Sequence, residues 1–211
     1  MLCTAGYLFW RYPSLPELLP VHFRWDGRAN GWQFRTIPRV LLPLFVQLGI
    51  FSTGGAVSTL LLSRPDASTA HSRPDAHAAV TAAEAVMLIC ATWVACQAYA
   101  AYALVSLWSD GGSTLGAGYI ALELGCIVVT GVIGVRAQTR LARPEPLPYV
   151  AAHWRLGQLY CNAAHPALFV PTRDGRKWTL NFGRPAAVIL LGSILAIGIM
   201  APTAMLTLAL R

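Results

Sequence analysis

VLLPLFVQLGIFSTGGAVSTLLL, Val40 to Leu62, runs for twenty-three residues without a charged side chain. A helix needs roughly 20 predominantly apolar residues to cross the hydrocarbon core of a bilayer, so this stretch is long enough. In lipid its backbone must satisfy its own polar groups, and an isolated run does so only as a helix. Three more runs of similar character follow: Ala82–Leu107, Leu115–Val135 and Pro185–Leu210. The second carries Glu84 near its edge and the third carries Glu123 well inside.

Composition agrees. The 211 residues are 55% hydrophobic and 12% charged, with a mean hydropathy of +0.52, whereas about a quarter of an ordinary soluble domain is charged. Sixteen Lys+Arg against nine Asp+Glu leave a net charge of +7, and Lys177 is the one lysine. With no nucleic-acid-binding element beside it, that excess points to anionic lipid headgroups as partner and away from nucleic acid. The five cysteines show no CxxC spacing and read as small fillers of the interior. No cofactor motif is present. The expected fold is an all-α membrane protein with four transmembrane helices and a short β-hairpin.

The chain divides into residues 1–39, a partial helix and a Pro-, Trp- and Arg-rich loop; 40–135, three spans; 136–184, a long loop; and 185–211, the last span. MLCTAGYLFW, Met1 to Trp10, is apolar, but at 1.5 Å per residue it reaches only about 15 Å, half a bilayer. It is either an interfacial anchor or the end of a truncated fifth helix. Arg64–Ala79 contains RPDA twice and reads as a polar, low-complexity loop. Four spans place six basic residues on the side of Arg11–Arg39 and ten on the side of Arg136–Arg184. The second side is therefore expected to be cytoplasmic.

In that long loop LFVPTRDGRKWTLNF, Leu168 to Phe182, has the strongest short-range hairpin signal, Asp-Gly between alternating residues. A type I′ turn at Asp174-Gly175 pairs Arg173 with Arg176. Phe169, Pro171, Trp178 and Leu180 then share a face with the two arginines. Such a ribbon either lies on the bilayer with Arg173 and Arg176 reaching phosphates, or caps the cytoplasmic helix ends. His153, Cys161 and His165 precede it, with neither a fourth ligand nor a standard zinc spacing. Asn162 is expected in the turn that opens the hairpin.

Two motifs carry a resemblance. YPSLPELLPVHFRWDGRANGW, Tyr12 to Trp32, is similar to the signature that follows the first transmembrane helix in the SdpI-like family of bacterial membrane proteins, matching at Leu15, Pro16, Pro20, His22, Phe23, Gly27, Gly31 and Trp32. Trp154 to Pro185 resembles a small domain of unknown function often joined to the first, matching at Asn162, Phe169–Pro171, Gly175, Trp178, Thr179, Asn181 and Phe182 among others. The resemblance covers about a quarter of the chain. It implies a multi-pass protein of the bacterial inner membrane; the best-known relatives give immunity to a secreted peptide toxin and tether a transcriptional repressor. A peptide ligand and a cytoplasmic regulator are the partners it implies. The chain departs from the pattern in its short first helix and in His165, where an acid is usual.

By its residues the first motif is a Pro-fixed extended segment, a turn at Asp26-Gly27 and an aromatic collar of Phe23, Trp25, Trp32 and Phe34 at the outer interface. His22 is a ligand or proton carrier, or else a hydrogen bonder that holds the turn. Glu123 serves ion or ligand passage, or bonds to Gln97 or Gln47 between helices, or snorkels to the outer edge. The candidate functional residues are thus Pro20, His22, Gly27, Glu123, Asn162, Arg173, Arg176, Trp178 and Asn181. With no nucleophile–base pair, HExxH, phosphate loop or paired carboxylate, the leading reading is sensing, immunity or signalling without catalysis. The alternatives are a small transporter or membrane enzyme using Glu123 and His22, and an assembly factor.

Overall fold

A computed structural model describes residues 1–24, 26–62, 73–141, 147–193 and 195, with the backbone alone for 73–75. Its helices are α1 (Leu2–Arg11), α2 (Ile37–Val40), α3 (Leu42–Leu62), α4 (Arg73–Ser109) and α5 (Ala117–Arg140). Its strands are β1 (Leu18–Phe23), β2 (Ala29–Phe34), β3 (Trp154–Arg155), β4 (Leu159–Tyr160), β5 (Phe169–Pro171) and β6 (Trp178–Leu180). They form three antiparallel two-stranded pairs, β1–β2, β3–β4 and β5–β6.

Among the described residues three helices are long and apolar enough to cross a membrane: Leu42–Leu62, Ala76–Ser109 and Ala117–Arg140. A further helix begins at Pro185, where the fourth span was expected, and is described through residue 193; the rest of that expected span lies outside the described residues. Two boundaries differ from those read in the sequence. Residues 73–79, assigned to a polar loop, open α4, because the second RPDA puts Pro74 in the first turn, where its missing N–H costs nothing, ahead of an Ala-rich run. The first RPDA lies outside the described residues. Similarly, α5 continues past Val135 through Arg136-Ala-Gln-Thr-Arg140, good helix formers whose last arginine complements the helix C-terminus.

The described residues form two compact units, 1–53 with 89–131, and 54–88 with 132–195. In the first, Leu15, Leu19 and Val21 pack with Leu8 of α1 and with Ala101, Leu104, Val105 and Trp108 of α4, around one buried cluster that reaches Leu115 and Tyr119. Gln47 of α3 donates to Thr4 Oγ1 at 3.2 Å and to the Val94 carbonyl at 2.9 Å, tying α1 and α4 to α3. A hairpin at β1–β2, beyond the single one expected, follows from that core: the near-continuous apolar LLPVHF is buried on the helices, and Pro20 is accommodated by register irregularities on either side of His22.

In the second unit, Glu84 of α4 and Arg140 of α5 form an ion pair at 3.0 Å. Ala78, Thr81 and Ala82 of α4 and Ala137, Gln138 and Leu141 at the end of α5 line a pocket of about 170 Å³, with Phe169, Trp178, Thr179 and Leu180 of the β5–β6 hairpin. Phe169 and Trp178 of this hairpin thus face the start of α4 and the end of α5 across that pocket.

Candidate functional site

The first candidate site is the β1–β2 module. His22 points inward from β1 and is 6% exposed. Gly31 lies opposite it in the ladder, and a Cβ there would fall 2.9 Å from His22 Cβ, so only glycine leaves room for the ring. Gln33 Nε2 lies 3.2 Å from His22 Nε2, and His22 Nδ1 is buried without a hydrogen-bond partner. Pro20, paired with Trp32, uses its carbonyl to accept a 2.9 Å bond from Trp108 Nε1. The turn is then clipped to the α4–α5 connection. Ala29 N–H donates to the Ser113 carbonyl at 2.7 Å and Leu115 N–H to the Gly27 carbonyl at 2.8 Å. Gly27 has φ +79°, and a Cβ on it would approach the Leu115 carbonyl oxygen to 2.9 Å, so both conformation and space call for glycine. Outward from this frame, Leu18, Trp32 and Phe34 are exposed. Phe23 is half-buried against the core, and Trp25 lies outside the described residues.

Arg35 was missed as a structural residue. Its guanidinium donates to the carbonyls of Tyr12 at 2.9 Å and Pro13 at 3.2 Å, also bonds the Leu15 carbonyl, and stacks over the Tyr12 ring at 5.0 Å. The Pro-fixed bend thus has its free carbonyls gathered by one side chain. Three carbonyls in a bend with Pro13 and Pro16 were the available signal.

Glu123 stands six residues into α5, nearer its start than the expected span boundaries placed it. Tyr119 Oη, one turn earlier on the same helix, donates to Glu123 Oε1 at 2.6 Å. Spacing of i to i+4 made that bond available without any interhelical contact. His22 and Glu123, joined in the transport reading, are engaged by Gln33 and Tyr119 respectively.

The second candidate site is the 147–184 module. Asn181 is fully buried and holds it together. Its Nδ2 donates to the carbonyls of Asn162 at 2.9 Å, His165 at 3.2 Å and Ala167 at 3.2 Å, and its Oδ1 accepts from the N–H groups of Asn162 at 3.0 Å and Gly183 at 3.1 Å. Asn162 Oδ1 in turn accepts from Ala164 N–H at 3.0 Å, closing the turn before β5. The Tyr160 ring sits between His153, Trp154 and His165, with centroids 5.9, 5.3 and 6.0 Å away. Among the described residues no three His, Cys, Asp or Glu side chains cluster as metal ligands would.

Pairing of Phe169 with Leu180, Val170 with Thr179 and Pro171 with Trp178 is the register read from the sequence. Its turn differs. Only Gly175 has a positive φ, +65°; Asp174 instead accepts bonds on Oδ1 from Thr172 Oγ1 at 2.6 Å and Arg176 N–H at 3.2 Å. With its side chain closing the loop, Asp174 has no need of the left-handed region that a type I′ turn demands. Arg173 lies over the Tyr149 ring at 4.6 Å, Arg176 is exposed, and Trp178 is half-buried at the pocket. A type I′ geometry occurs one hairpin earlier, at Leu156-Gly157, with φ +48° and +74°.

A family model described as a domain of unknown function (DUF1648) matches residues 1–46. No curated protein and no solved structure matches the chain. The matched segment comprises α1, β1–β2, α2 and the start of α3, so an uncharacterised domain with a buried histidine hairpin stands at the head of a chain with helices apolar enough to span a membrane.

Proposed function

We propose that this is a multi-pass, non-catalytic membrane protein of the SdpI-like type, in which the β1–β2 module receives a peptide ligand at the outer bilayer surface and the 147–184 module faces lipid headgroups or a regulator in the cytoplasm. One observation carries the reading: the β1–β2 turn is fixed by backbone bonds to the connection between two helices apolar enough to span, with Leu18, Trp32 and Phe34 left facing outward. A rigid frame held by backbone bonds, with an outer face that is apolar and aromatic, suits recognition at an interface. Orientation follows from the charge excess beyond α5. Bacterial inner membrane is the location this reading requires.

Cysteine labelling in a Cys-free background tests it, with single cysteines at Asn30 and Thr172. An impermeant maleimide reaching Asn30→Cys in intact bacteria, with Thr172→Cys protected until lysis, is the expected pattern. Reversal, or labelling of both from one side, overturns the orientation and with it the outer-sensor role.

A further inference from the structure

The β3–β4 turn runs Arg155-Leu156-Gly157-Gln158 and is closed by Gln158 N–H donating to the Arg155 carbonyl at 3.1 Å. Leu156, at φ +48°, is the one residue other than glycine with a positive φ among the described residues. Asn, Asp or Gly is the ordinary occupant of such a position, and a branched apolar side chain there is strained. The same residue is 92% exposed. A fold that wanted only the turn would use Asn-Gly; strain plus full exposure at one leucine asks for something outside the fold that takes up the side chain.

The surroundings say what that is. Leu147, Tyr149, Val150 and Leu159 are exposed in the same module, and Arg155 is exposed beside Leu156. The module leaves α5, a helix apolar enough to span, shortly before it begins, and passes directly into the apolar helix that starts at Pro185. Its N-terminal end is therefore held close to the surface of whatever bilayer α5 enters. A lone apolar tip flanked by a guanidinium, tethered at that distance, fits the boundary between headgroups and acyl chains.

We infer that the β3–β4 tip is a membrane-inserting finger, Leu156 entering the acyl region of the leaflet from which the 147–184 module emerges. This rests on the reading that the chain spans a bilayer, but not on which side the module lies. The full chain, Cys-free except for one introduced cysteine carrying an NBD fluorophore, would be placed in nanodiscs of phosphatidylethanolamine and phosphatidylglycerol. For Leu156→Cys, doxyl groups on lipid acyl chains should quench at least twofold more than aqueous iodide does, as they should for Val128→Cys, an exposed α5 position; Arg176→Cys should show the opposite preference. Iodide-dominated quenching at residue 156 with doxyl quenching at 128 overturns the finger and leaves the spanning reading intact. Loss of doxyl quenching at both overturns both. Because no protein besides the nanodisc scaffold is present, a protein-docking role for Leu156 would appear as the first of these failures. Leu156→Asn should melt no lower than the parent in detergent; a clearly lower midpoint would make the leucine a folding residue and end the proposal.

Discussion

Two residues in the candidate sites work by absence and by saturation. Gly31 works by lacking a Cβ, and its replacement by Ala forces His22 out of its place over the strand. Overpacking of this kind costs about 1–3 kcal/mol, so Gly31→Ala should lower the unfolding midpoint in detergent, whereas Asn30→Ala, exposed on the same strand, should leave it within error. Asn181 works by saturation, with three carbonyls and two N–H groups on one buried amide. Truncating it to Ala leaves several of these unpaired at about 1–3 kcal/mol each. The expected outcome is protease cleavage in the 160–170 loop of Asn181→Ala while α3 to α5 stay protected; an unchanged digestion pattern would remove Asn181 from the structural account. Both residues stood in the sequence motifs. Their roles were not legible there, because an inward-facing glycine and an inward-facing asparagine look like turn residues until the neighbour that needs them is placed.

At the scale of elements, turn chemistry and helix ends separate what the sequence states from what it leaves open. Alternation fixed the β5–β6 register, and Asp-Gly marked the loop, but the side chain of Asp174 closes it without the backbone conformation that the pair usually signals. Thr172 Oγ1 and Arg176 N–H, in that order, hold the Asp174 carboxyl below its usual range. The unfolded chain titrates at the ordinary value, so this stabilisation is present above that value and disappears as pH falls through the lower folded one. Asp174→Asn should therefore differ from the parent in thermal midpoint at neutral pH and converge with it in acid well below the ordinary carboxylate range; an equal gap under both conditions would assign the effect to geometry instead of charge. Helix existence was legible for the same reason that α5 was underestimated: hydropathy reports how much of a helix suits lipid, and Arg136–Arg140 continue the helix beyond it. β1 was hidden because strand alternation disappears where four successive residues, Leu19 to His22, are all buried.

For the whole molecule, the clip between the β1–β2 turn and residues 113–115 has a consequence for synthesis. The segment that matches a recognised domain ends at residue 46, but the backbone partners that complete its hairpin are not made until two long apolar helices later. Domains usually close as they leave the ribosome, N-terminal first. Here the β1–β2 hairpin has to wait, its turn open, while α3 and α4 enter their final environment. A fragment of residues 1–46 produced alone should show rapid amide exchange at Ala29, whose N–H bonds to Ser113 O in the complete chain. Co-expression with residues 73–141 should restore protection there. Order of assembly in this protein is written into a pair of backbone bonds, and the β1–β2 hairpin is among the last parts to be finished.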